Sequence, residues 1–553
     1  MRRCGFRYST VCTLSAYVVG LDFGTDSVRS MLVDALTGEE ISTAVVNYPR
    51  WAKGLYCDPA IFMYRQHPLD YLEAMEESLL QTLAGHPEKL SSVKGISLAT
   101  TGSTPVAVDQ DGVPLALLGE FGENPNGMFM LWKDHTAIAE AAAINATARD
   151  WSVDFTKYSG GTYSPEWYFS KILHVLRVDP AVAEKAYSWV EHCDWMPAVL
   201  TGNTRPEDLK RSRCVGGHKA MWHEDFGGLP AQDFLEAVDP LFKDISARLY
   251  THTYTSDEPA GVIAPLWAEK LGLPADVQIG VGALDAHFGA VGAAIESYTL
   301  VKVMGTSTCD MMIAPLASYQ HHLIKGICGQ VNGSIVPGML GMEAGQSAFG
   351  DVYKWFEELL SFPLAGIVDE ADRLNLKAAI LPELNRKAAE LPLSADDEVA
   401  LDWINGRRTP DADMHLKGMI SGLTLGTSAA RIFKALVEAT AFGSKAIVDR
   451  FREEGVPVKQ VVVLGGISKK SRFVLQTLAN VLNMPIQVVK SEQACALGAA
   501  MFAATISKVY PDLQSAQAAM ASGFDSTFMP EQTKTAIYDE LFAKYLILGQ
   551  SYH

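Results

Sequence analysis

The segment at positions 17–34, YVVGLDFGTDSVRSMLVD, constrains the fold of this chain more than any other feature. An apolar run leads into a short stretch of glycine and small polar residues, Gly24 to Ser27, and a second apolar run follows it. This pattern is typical of two β-strands joined by a tight turn. Such a turn presents backbone N–H groups and hydroxyls to an anion, and Asp22 stands at its mouth, where a carboxylate can hold a cation. The segment therefore predicts a phosphate-binding hairpin, with an ordinary polar hairpin as the alternative.

Two common phosphate-binding motifs are absent from the chain. No Gly-Lys dipeptide occurs, so the sequence contains no Walker-type loop. The pair Gly280 and Gly282 lacks the third glycine of a dinucleotide-binding fingerprint, and no other stretch supplies that pattern at the start of a helix. If the chain binds a nucleotide, it must do so by another route, which favours the glycine-threonine hairpin.

A second segment, 299–315, repeats the construction of the first, with Gly305, Thr306 and Ser307 between two apolar runs. Two such hairpins about half a chain apart indicate a duplicated domain. We expect each copy to be a mixed sheet covered by helices, with the ligand cleft between the copies. The first domain is predicted at 17–290 and the second at 291–550.

Two further glycine-containing segments lie in the second half of the chain. The run VVVL at 461–464 leads into Gly465, Gly466 and a helical pattern, an arrangement that lets a flat ligand approach the backbone closely. The segment ACALGAA at 494–500 predicts a helix of small side chains, for which close helix packing is the favoured interpretation. In contrast, segment 365–415 is rich in charged and loop residues and indicates little about function.

Composition limits the partners of the chain. Its formal net charge of −18 argues against binding to nucleic acid or to an anionic membrane, and no run of 18 apolar residues predicts a membrane span. The eight cysteines are scattered without a CxxC pair, which fits reduced thiols in a cytoplasmic protein. Arginines near the N-terminus resemble a signal peptide, but cleavage there would remove the first strand. Residues 1–16 are therefore interpreted as a disordered extension or the result of a misplaced start codon.

In their order along the chain, these segments resemble the two phosphate loops, the adenosine loop and the connecting helix of the actin, heat-shock ATPase and sugar-kinase superfamily. Within it, the chain is similar to the FGGY carbohydrate kinases, and especially to their bacterial L-ribulokinase branch, from about residue 17 to the C-terminal region. The stretches that carry the resemblance are LWKDHTA (131–137), RCVGGHKAMWHEDFGGLP (213–230), LDAHFGAVGA (284–293), VMGTSTCDMM (303–312), GMEAGQSAFGD (341–351), DWINGRRTPDAD (402–413) and EATAFGSKAIVDRF (438–451). The resemblance implies an α/β fold of two ribonuclease H-like domains, as in actin and hexokinase, with an interdomain cleft.

The resemblance also implies a reaction. An FGGY kinase of this branch transfers the γ-phosphoryl group of ATP to the 5-hydroxyl of L-ribulose, a step of L-arabinose catabolism, with Mg²⁺ carried in by ATP. Its partners are then the small pentulose and ATP, and a homo-oligomer is possible. One alternative is a kinase for D-ribulose, xylulose or ribitol. The other is a non-catalytic, actin-like nucleotide sensor, which needs neither a sugar-side base nor a sugar-side lysine.

Residues for the phosphoryl transfer follow from the resemblance. Asp285 is the expected catalytic base and a metal ligand, and Asp22 is expected to hold Mg²⁺, in part through water. Without the family, Asp285 would be interpreted as a helix N-cap. The residues expected to cradle phosphates are Gly24, Thr25, Ser27, Gly305, Thr306 and Ser307, and those expected to face adenosine are Gly465 and Gly466.

Residues for the sugar follow in the same way. Trp132 offers an aromatic face and an N–H donor. Lys219 donates to the oxygens of the ketose, and Glu343 and Asp285 accept from its hydroxyls. The backbone at Gly102 is expected to close the site. The resemblance implies a bulkier stretch containing Ala and Cys where this chain has GST at 102–104, which leaves sugar selectivity open at this wall. Without the family, Trp132 would be a core residue and Lys219 a solvated loop residue.

Overall fold

The computed structural model describes residues 15–319 and 322–551. Residues 1–14 of the predicted N-terminal extension lie outside the described residues. Ala16 belongs to the packed fold rather than to that extension, because it is buried and its carbonyl accepts a hydrogen bond of 2.8 Å from the Ala35 N–H. The first strand therefore has a buried residue directly before it.

Strands and helices alternate along both halves of the described chain. The strands are β1 (Tyr17–Phe23), β2 (Ser27–Asp34), β3 (Glu40–Asn47), β4 (Cys57–Asp58), β5 (Met63–Gln66), β6 (Val93–Thr100), β7 (Pro105–Val108), β8 (Phe129–Met130), β9 (Ser188–Glu191), β10 (Pro259–Val262), β11 (Gln278–Gly280), β12 (Ala283–Leu284), β13 (Thr299–Met304), β14 (Thr308–Pro315), β15 (Gly329–Asn332), β16 (Met339–Ala344), β17 (Val399–Leu401), β18 (Met419–Ser421), β19 (Gln460–Leu464), β20 (Ile486–Val489) and β21 (Phe524–Phe528). The α-helices are α1 (Pro68–Ala84), α2 (Ile138–Asp150), α3 (Tyr168–Val178), α4 (Pro180–Lys185), α5 (His192–Thr201), α6 (Arg213–Lys219), α7 (Gln232–Val238), α8 (Pro265–Leu271), α9 (Asp285–Gly292), α10 (Leu316–Tyr319), α11 (Gly350–Ser361), α12 (Glu370–Glu390), α13 (Ala429–Glu453), α14 (Gly466–Lys470), α15 (Arg472–Leu482), α16 (Ala494–Ile506), α17 (Leu513–Met520) and α18 (Gln532–Gln550).

The sheet of the N-terminal half has the strand order β10-β11-β6-β1-β2-β3, and β12 extends it beside β6. β1 and β2 form the predicted antiparallel hairpin, whereas β1, β6 and β12 run parallel, so Asp22 lies level with Ala99 and Ala283. Ligands of α/β proteins bind at the carboxyl ends of parallel strands. The hairpin turn after β1 and Asp285 directly after β12 therefore share the edge where a ligand is expected.

The sheet of the C-terminal half has the order β15-β16-β14-β13-β19-β20-β21. Its β13–β14 hairpin is antiparallel, and β19 runs parallel to β13 on the other side. This is the arrangement of β1, β2 and β6 in the first sheet. The α/β fold of two related domains is confirmed, because both halves contain the same hairpin with the same parallel third strand.

Helices α9 and α16 pack against each other, and the two halves of the chain meet there. α16 packs on β1 and β6, while α9 contacts β13 and β14. A Cβ atom at Gly498 would lie 1.9 Å from the carbonyl oxygen of Phe288, and one at Gly20 would lie 1.8 Å from that of Ala496. Only glycine allows backbones to approach so closely. The small side chains of α16 therefore serve close packing, as the sequence predicts.

Segment 365–415 is more regular than its composition predicts. The 21-residue helix α12 occupies much of it, and its charged side chains pair along the exposed surface, as Arg386 does with Glu383 and Glu390. These short-range ion pairs favour a solvated helix, which the charge content alone does not reveal. Among the described residues, no helix is both long and apolar enough to cross a membrane. The six cysteines in the described ranges are all free.

Candidate active site

The first hairpin holds a buried carboxylate beneath its turn. The N–H of Gly24 donates to the carbonyl of Ser27 at 3.0 Å, which closes the turn. Asp22 is 6% exposed; its Oδ2 accepts a hydrogen bond of 3.2 Å from Arg29, while its buried Oδ1 has no partner in the described chain. Burial raises the pKa of Asp22. An unpartnered buried carboxylate oxygen is costly unless a cation or water satisfies it, so this atom fits a ligand of Mg²⁺.

Asp285 is the first residue of α9. The helix N-cap position belongs to Leu284, so the alternative interpretation of Asp285 as an N-cap is wrong. The N–H of Ala286 donates to Oδ1 of Asp285 at 2.6 Å. Burial raises the pKa of Asp285 to about 7, and the negative charges of Asp22 and Glu343 act in the same direction. A carboxyl group with this pKa is a stronger base than an ordinary aspartate.

The second hairpin carries the other predicted phosphate-binding residues. The N–H of Gly305 donates to the carbonyl of Ser307 at 3.0 Å, and the carbonyl of Thr306 accepts from the N–H of Phe349 at 2.8 Å. Gly305 and Thr306 are exposed, so their outward-facing groups are accessible to a ligand. The turn between β13 and β14 is therefore held in place on one side and exposed to solvent on the other.

The two predicted adenosine-binding glycines lie against the base of the second hairpin. Gly465 has φ of 97°, and a Cβ there would lie 2.6 Å from the carbonyl oxygen of Met304, the residue before the hairpin turn. Around Gly466 there is open space, since a Cβ would meet no atom within 4 Å. A flat ligand can therefore approach the backbone at Gly466 next to the second hairpin.

Lys219 and Glu343 form an ion pair between the two halves of the chain. Lys219 ends α6 in the first half, and its Nζ lies 2.7 Å and 2.9 Å from the two carboxylate oxygens of Glu343 in β16. Both residues are buried, at 5% and 4% exposed, so the interpretation of Lys219 as a solvated loop residue is wrong. Burial opposes ionisation of Glu343, but Lys219 outweighs it and holds the pKa of that carboxyl at about 2.

The two predicted walls of the sugar site contact the first hairpin and the residue before the candidate base. Nε1 of Trp132 donates to the Thr25 hydroxyl at 3.0 Å, which links this wall to the first hairpin. Trp132 is half-buried rather than a core residue. A Cβ at Gly102 would lie 2.1 Å from Cδ2 of Leu284, the residue before Asp285. A larger side chain at position 102 would therefore collide with Leu284 beside the candidate base, which explains the glycine there.

Lys171 and Glu191, which were not predicted from the sequence, support both walls. The buried ammonium of Lys171 donates to the carbonyls of Ser103 and Leu131 at 2.7 Å and 2.8 Å, so one side chain ties the Gly102 stretch to the residue before Trp132. Glu191 accepts from the N–H of Thr104 at 2.7 Å and from the Ser103 hydroxyl. The available signal was a lysine within the apolar run YFSKILHVL at 168–176.

Two buried histidines, also not predicted from the sequence, flank Glu343. Nδ1 of His218 and Nε2 of His287 lie 3.6 Å and 3.8 Å from its Oε2. Burial lowers the pKa of His218, and it lowers that of His287 to about 4, so both rings are neutral. Within the described ranges, this trio is a possible metal-ligand group. However, the Lys219 ammonium 2.7 Å from the same carboxylate supplies the positive charge that a metal ion would bring.

Helix α9 lies close to several of the predicted site residues. Asp22 and Glu343 both act on the pKa of Asp285, so the candidate base lies within electrostatic reach of the first hairpin and of the Lys219–Glu343 ion pair. Further along α9, a Cβ at Gly289 would lie 3.5 Å from Leu464, the residue before Gly465. The candidate base therefore lies near the Asp22 hairpin and the Lys219–Glu343 pair, and its helix α9 also packs against β13 and β14, the strands of the second hairpin.

Comparison with known proteins agrees with this geometry. The N-terminal domain of the FGGY family of carbohydrate kinases matches residues 17–292, and its C-terminal domain matches residues 300–506. A ribulokinase from Vibrio parahaemolyticus is 48% identical over 98% of this chain and 97% of its own length, and one from Halalkalibacterium halodurans is 35% identical over 96% and 94%. The fold is shared with a xylulose kinase from Rhodospirillum rubrum (TM-score 0.77, 20% identity, 97% of this chain and 99% of the other) and with Plasmodium falciparum glycerol kinase with ADP (TM-score 0.74, 15% identity, 97% and 98%). This chain belongs to the FGGY family of carbohydrate kinases.

Proposed function

We propose that this chain is a ribulokinase that transfers the γ-phosphoryl group of ATP to the 5-hydroxyl of L-ribulose. The observation that carries the proposal is the meeting of Asp285, Lys219 and Glu343 between the two halves of the chain, beside the Asp22 hairpin. A keto-pentose needs a base for one hydroxyl, a donor for its keto oxygen and an acceptor for other hydroxyls. The choice of sugar is supported by relatives named ribulokinase, which this chain matches over nearly their whole length.

Asp285 acts as the base in this proposal. Its carboxylate accepts the proton of the 5-hydroxyl while the sugar oxygen forms its bond to the γ-phosphorus and the bond from that phosphorus to the ADP oxygen breaks. A pKa near 7 leaves a large fraction of Asp285 ionised at neutral pH and makes it a better proton acceptor than an unperturbed aspartate. The reaction then releases ADP and L-ribulose 5-phosphate.

The two hairpins bind the phosphates of ATP. Backbone N–H groups and hydroxyls of the first turn (Gly24, Thr25, Ser27) and of the second turn (Gly305, Thr306, Ser307) surround the chain of phosphates, and Gly465 with Gly466 faces adenosine. Asp22, with Asp285 beside it, supplies carboxylate oxygens for Mg²⁺, directly or through water. When bound, Mg²⁺ neutralises negative charge on the phosphates. With a net charge of −18, the protein must attract ATP through such local groups.

The variant Asp22→Asn is expected to raise the Mg²⁺ concentration for half-maximal activity by about tenfold, since one charged ligand is lost. The measurement is the initial rate at a fixed ATP concentration over a series of Mg²⁺ concentrations. Asp26→Asn is the matched control, because residue 26 lies in the same turn, is exposed and keeps an oxygen for the Trp51 Nε1 proton. An unchanged Mg²⁺ requirement in Asp22→Asn would show that Asp22 holds no metal.

Sugar selectivity is tested by ADP release with Mg-ATP and a panel of L-ribulose, D-ribulose, xylulose, ribitol and glycerol. L-Ribulose is expected to give the highest kcat/KM. A higher value for xylulose would favour the second candidate, a kinase for another pentulose, which the fold shared with xylulose kinases keeps open. ATP turnover that no sugar accelerates would identify a nucleotide sensor instead. Lys219 and Asp285 argue against a sensor, because such a protein needs no sugar-side lysine or base.

The division of labour follows the two halves of the chain. Residues 17–290 carry the base and most of the sugar site, and residues 291–550 carry the second hairpin and the adenosine-binding glycines. Glu343 is the exception, because it reaches the sugar site from the second half. Free thiols at all six described cysteines suit a cytoplasmic enzyme that uses ATP.

A further inference from the structure

A second ion pair connects the two halves of the chain near the sugar site. Nη2 of Arg408, in the second half, lies 3.7 Å from Oε2 of Glu166, in the first half. Oε1 of Glu166 pairs at 2.8 Å with Nε2 of His135, which fixes the carboxylate on the first half. Neither Arg408 nor Glu166 has a role in the phosphoryl transfer described above.

The loop that carries Arg408 rests on the strand of Glu343. Oγ1 of Thr409 accepts from the N–H of Gly345 at 3.3 Å and lies 3.2 Å from Sγ of Cys328. The N–H of Cys328 in turn donates to the carbonyl of Glu343 at 2.8 Å. These contacts anchor the residue next to Arg408 directly on the C-terminal wall of the sugar site.

Glu166 is anchored just as closely to the other side of the site. The next residue, Trp167, presents its ring to Lys219, with Nζ 5.4 Å from the ring centroid. The site is therefore bordered by two ion pairs of opposite direction. In the first pair, the cation Lys219 belongs to the first half of the chain and the anion Glu343 to the second half. In the other pair, the anion Glu166 belongs to the first half and the cation Arg408 to the second half.

The guanidinium of Arg408 has unused hydrogen-bonding capacity. Its side chain is 23% exposed, and within the described ranges it makes no hydrogen bond; its only ion pair is the one with Glu166. A guanidinium can donate five hydrogen bonds, and at hydrogen-bonding distance it can bind a carboxylate in a bidentate manner, through two of them. At 3.7 Å the pair is close but not yet in that geometry, so a small approach of the two halves would complete it.

We propose that Arg408 and Glu166 are positioning residues that hold the two domains together over the bound sugar. In the proposed complex the Lys219–Glu343 pair also contacts sugar oxygens, so part of its hydrogen-bonding capacity is directed to the substrate. The Arg408–Glu166 pair borders the same site and supplies a second charge contact between the domains. This inference rests on the proposed sugar-kinase function.

The two residues should therefore set the affinity for sugar and leave the chemistry unchanged. We expect Arg408→Gln and Glu166→Gln each to raise KM for L-ribulose by about tenfold, with kcat and KM for ATP changed by less than about threefold. Because both residues act through one contact, the double variant should be no worse than either single variant. Exchange of the charges, Glu166→Arg with Arg408→Glu, should recover at least part of the affinity lost by Arg408→Glu alone.

Steady-state kinetics on the full chain, with titration of L-ribulose followed by calorimetry, provide the test. The control is Arg177→Gln, which breaks ion pairs with Asp239 and Glu140 inside the first domain and should leave KM for L-ribulose unchanged. Arg408→Lys keeps the positive charge but loses the planar pair of guanidinium donors. It serves if Arg408→Gln fails to fold, and its KM for L-ribulose should lie between the unaltered value and a tenfold increase. Unchanged sugar affinity in the single variants, or additive losses in the double variant, would overturn the inference. Failure of the unaltered chain to phosphorylate any sugar would instead overturn the proposed function.

Discussion

The variant Asp285→Asn is expected to lower kcat by about 10³-fold, while the affinity for L-ribulose changes by less than about threefold. Asparagine keeps the size of aspartate and an oxygen that can accept from the Ala286 N–H, but it cannot take up the proton of the sugar hydroxyl. Rates are measured as ADP release with Mg-ATP, and sugar affinity by calorimetric titration. Near-normal turnover would rule out Asp285 as the base.

The same variant should be more stable than the unaltered protein at alkaline pH. Burial raises the pKa of Asp285 in the folded protein to about 7, above the ordinary value of about 3.9 in an unfolded chain. The folded state therefore binds the proton more tightly, and stability falls as pH rises from about 4 to 7. Asparagine removes this loss, so Tm should increase at pH 8 and stay unchanged at pH 4. The exposed Asp276→Asn is the control and should change Tm at neither pH.

The second large effect is expected for Glu343→Gln, which removes the carboxylate paired with Lys219. This change leaves a buried ammonium without its counter-ion, so the free energy of unfolding should fall by about 3–5 kcal/mol. kcat/KM for L-ribulose should fall by about 10²-fold or more, because the sugar loses an acceptor and Lys219 is no longer held in place. Unfolding in urea and steady-state kinetics measure the two effects.

The double variant Lys219→Met with Glu343→Met separates stability from function. With both charges removed, apolar side chains of similar volume fill the site, so stability should return to within about 1–2 kcal/mol of the unaltered protein. Activity should remain lost, because the sugar then has neither donor nor acceptor. The exposed Asp111→Asn, which breaks the surface pair with Arg205, should change stability by less than about 1 kcal/mol. An active double variant would contradict the sugar-binding role.

The local patterns of the sequence predicted the elements that frame the site. Both hairpins, the strand before Gly465 and the helix that begins at Ala494 depend on neighbouring residues, so apolar runs and turn residues identify them. The duplication of the hairpin also predicted two sheets of the same construction, which the pairing of β1 with β6 and of β13 with β19 confirms. Short-range physics was sufficient for these features.

Contacts between distant parts of the chain were beyond the reach of such patterns. Lys219 and Glu343 are 124 positions apart, and without their partners each would be interpreted as an ordinary surface charge. Arg408 lies in segment 365–415, whose composition indicates little about function, and its contact with Glu166 depends on how the two domains meet. The raised pKa of Asp285 likewise depends on burial and on Asp22, which only the assembled sheet brings near.

A crystal structure of Asp285→Asn with L-ribulose, Mg²⁺ and a non-hydrolysable ATP analogue tests the central claim most directly. The claim is that the hairpins of both domains hold the triphosphate so that its last group faces the sugar hydroxyl at position 285. We predict the γ-phosphate between the Gly24 and Gly305 turns, with the 5-hydroxyl about 3 Å from the side chain of residue 285. A nucleotide bound to only one of the two turns, or a sugar whose 5-hydroxyl faces away from residue 285, would contradict it.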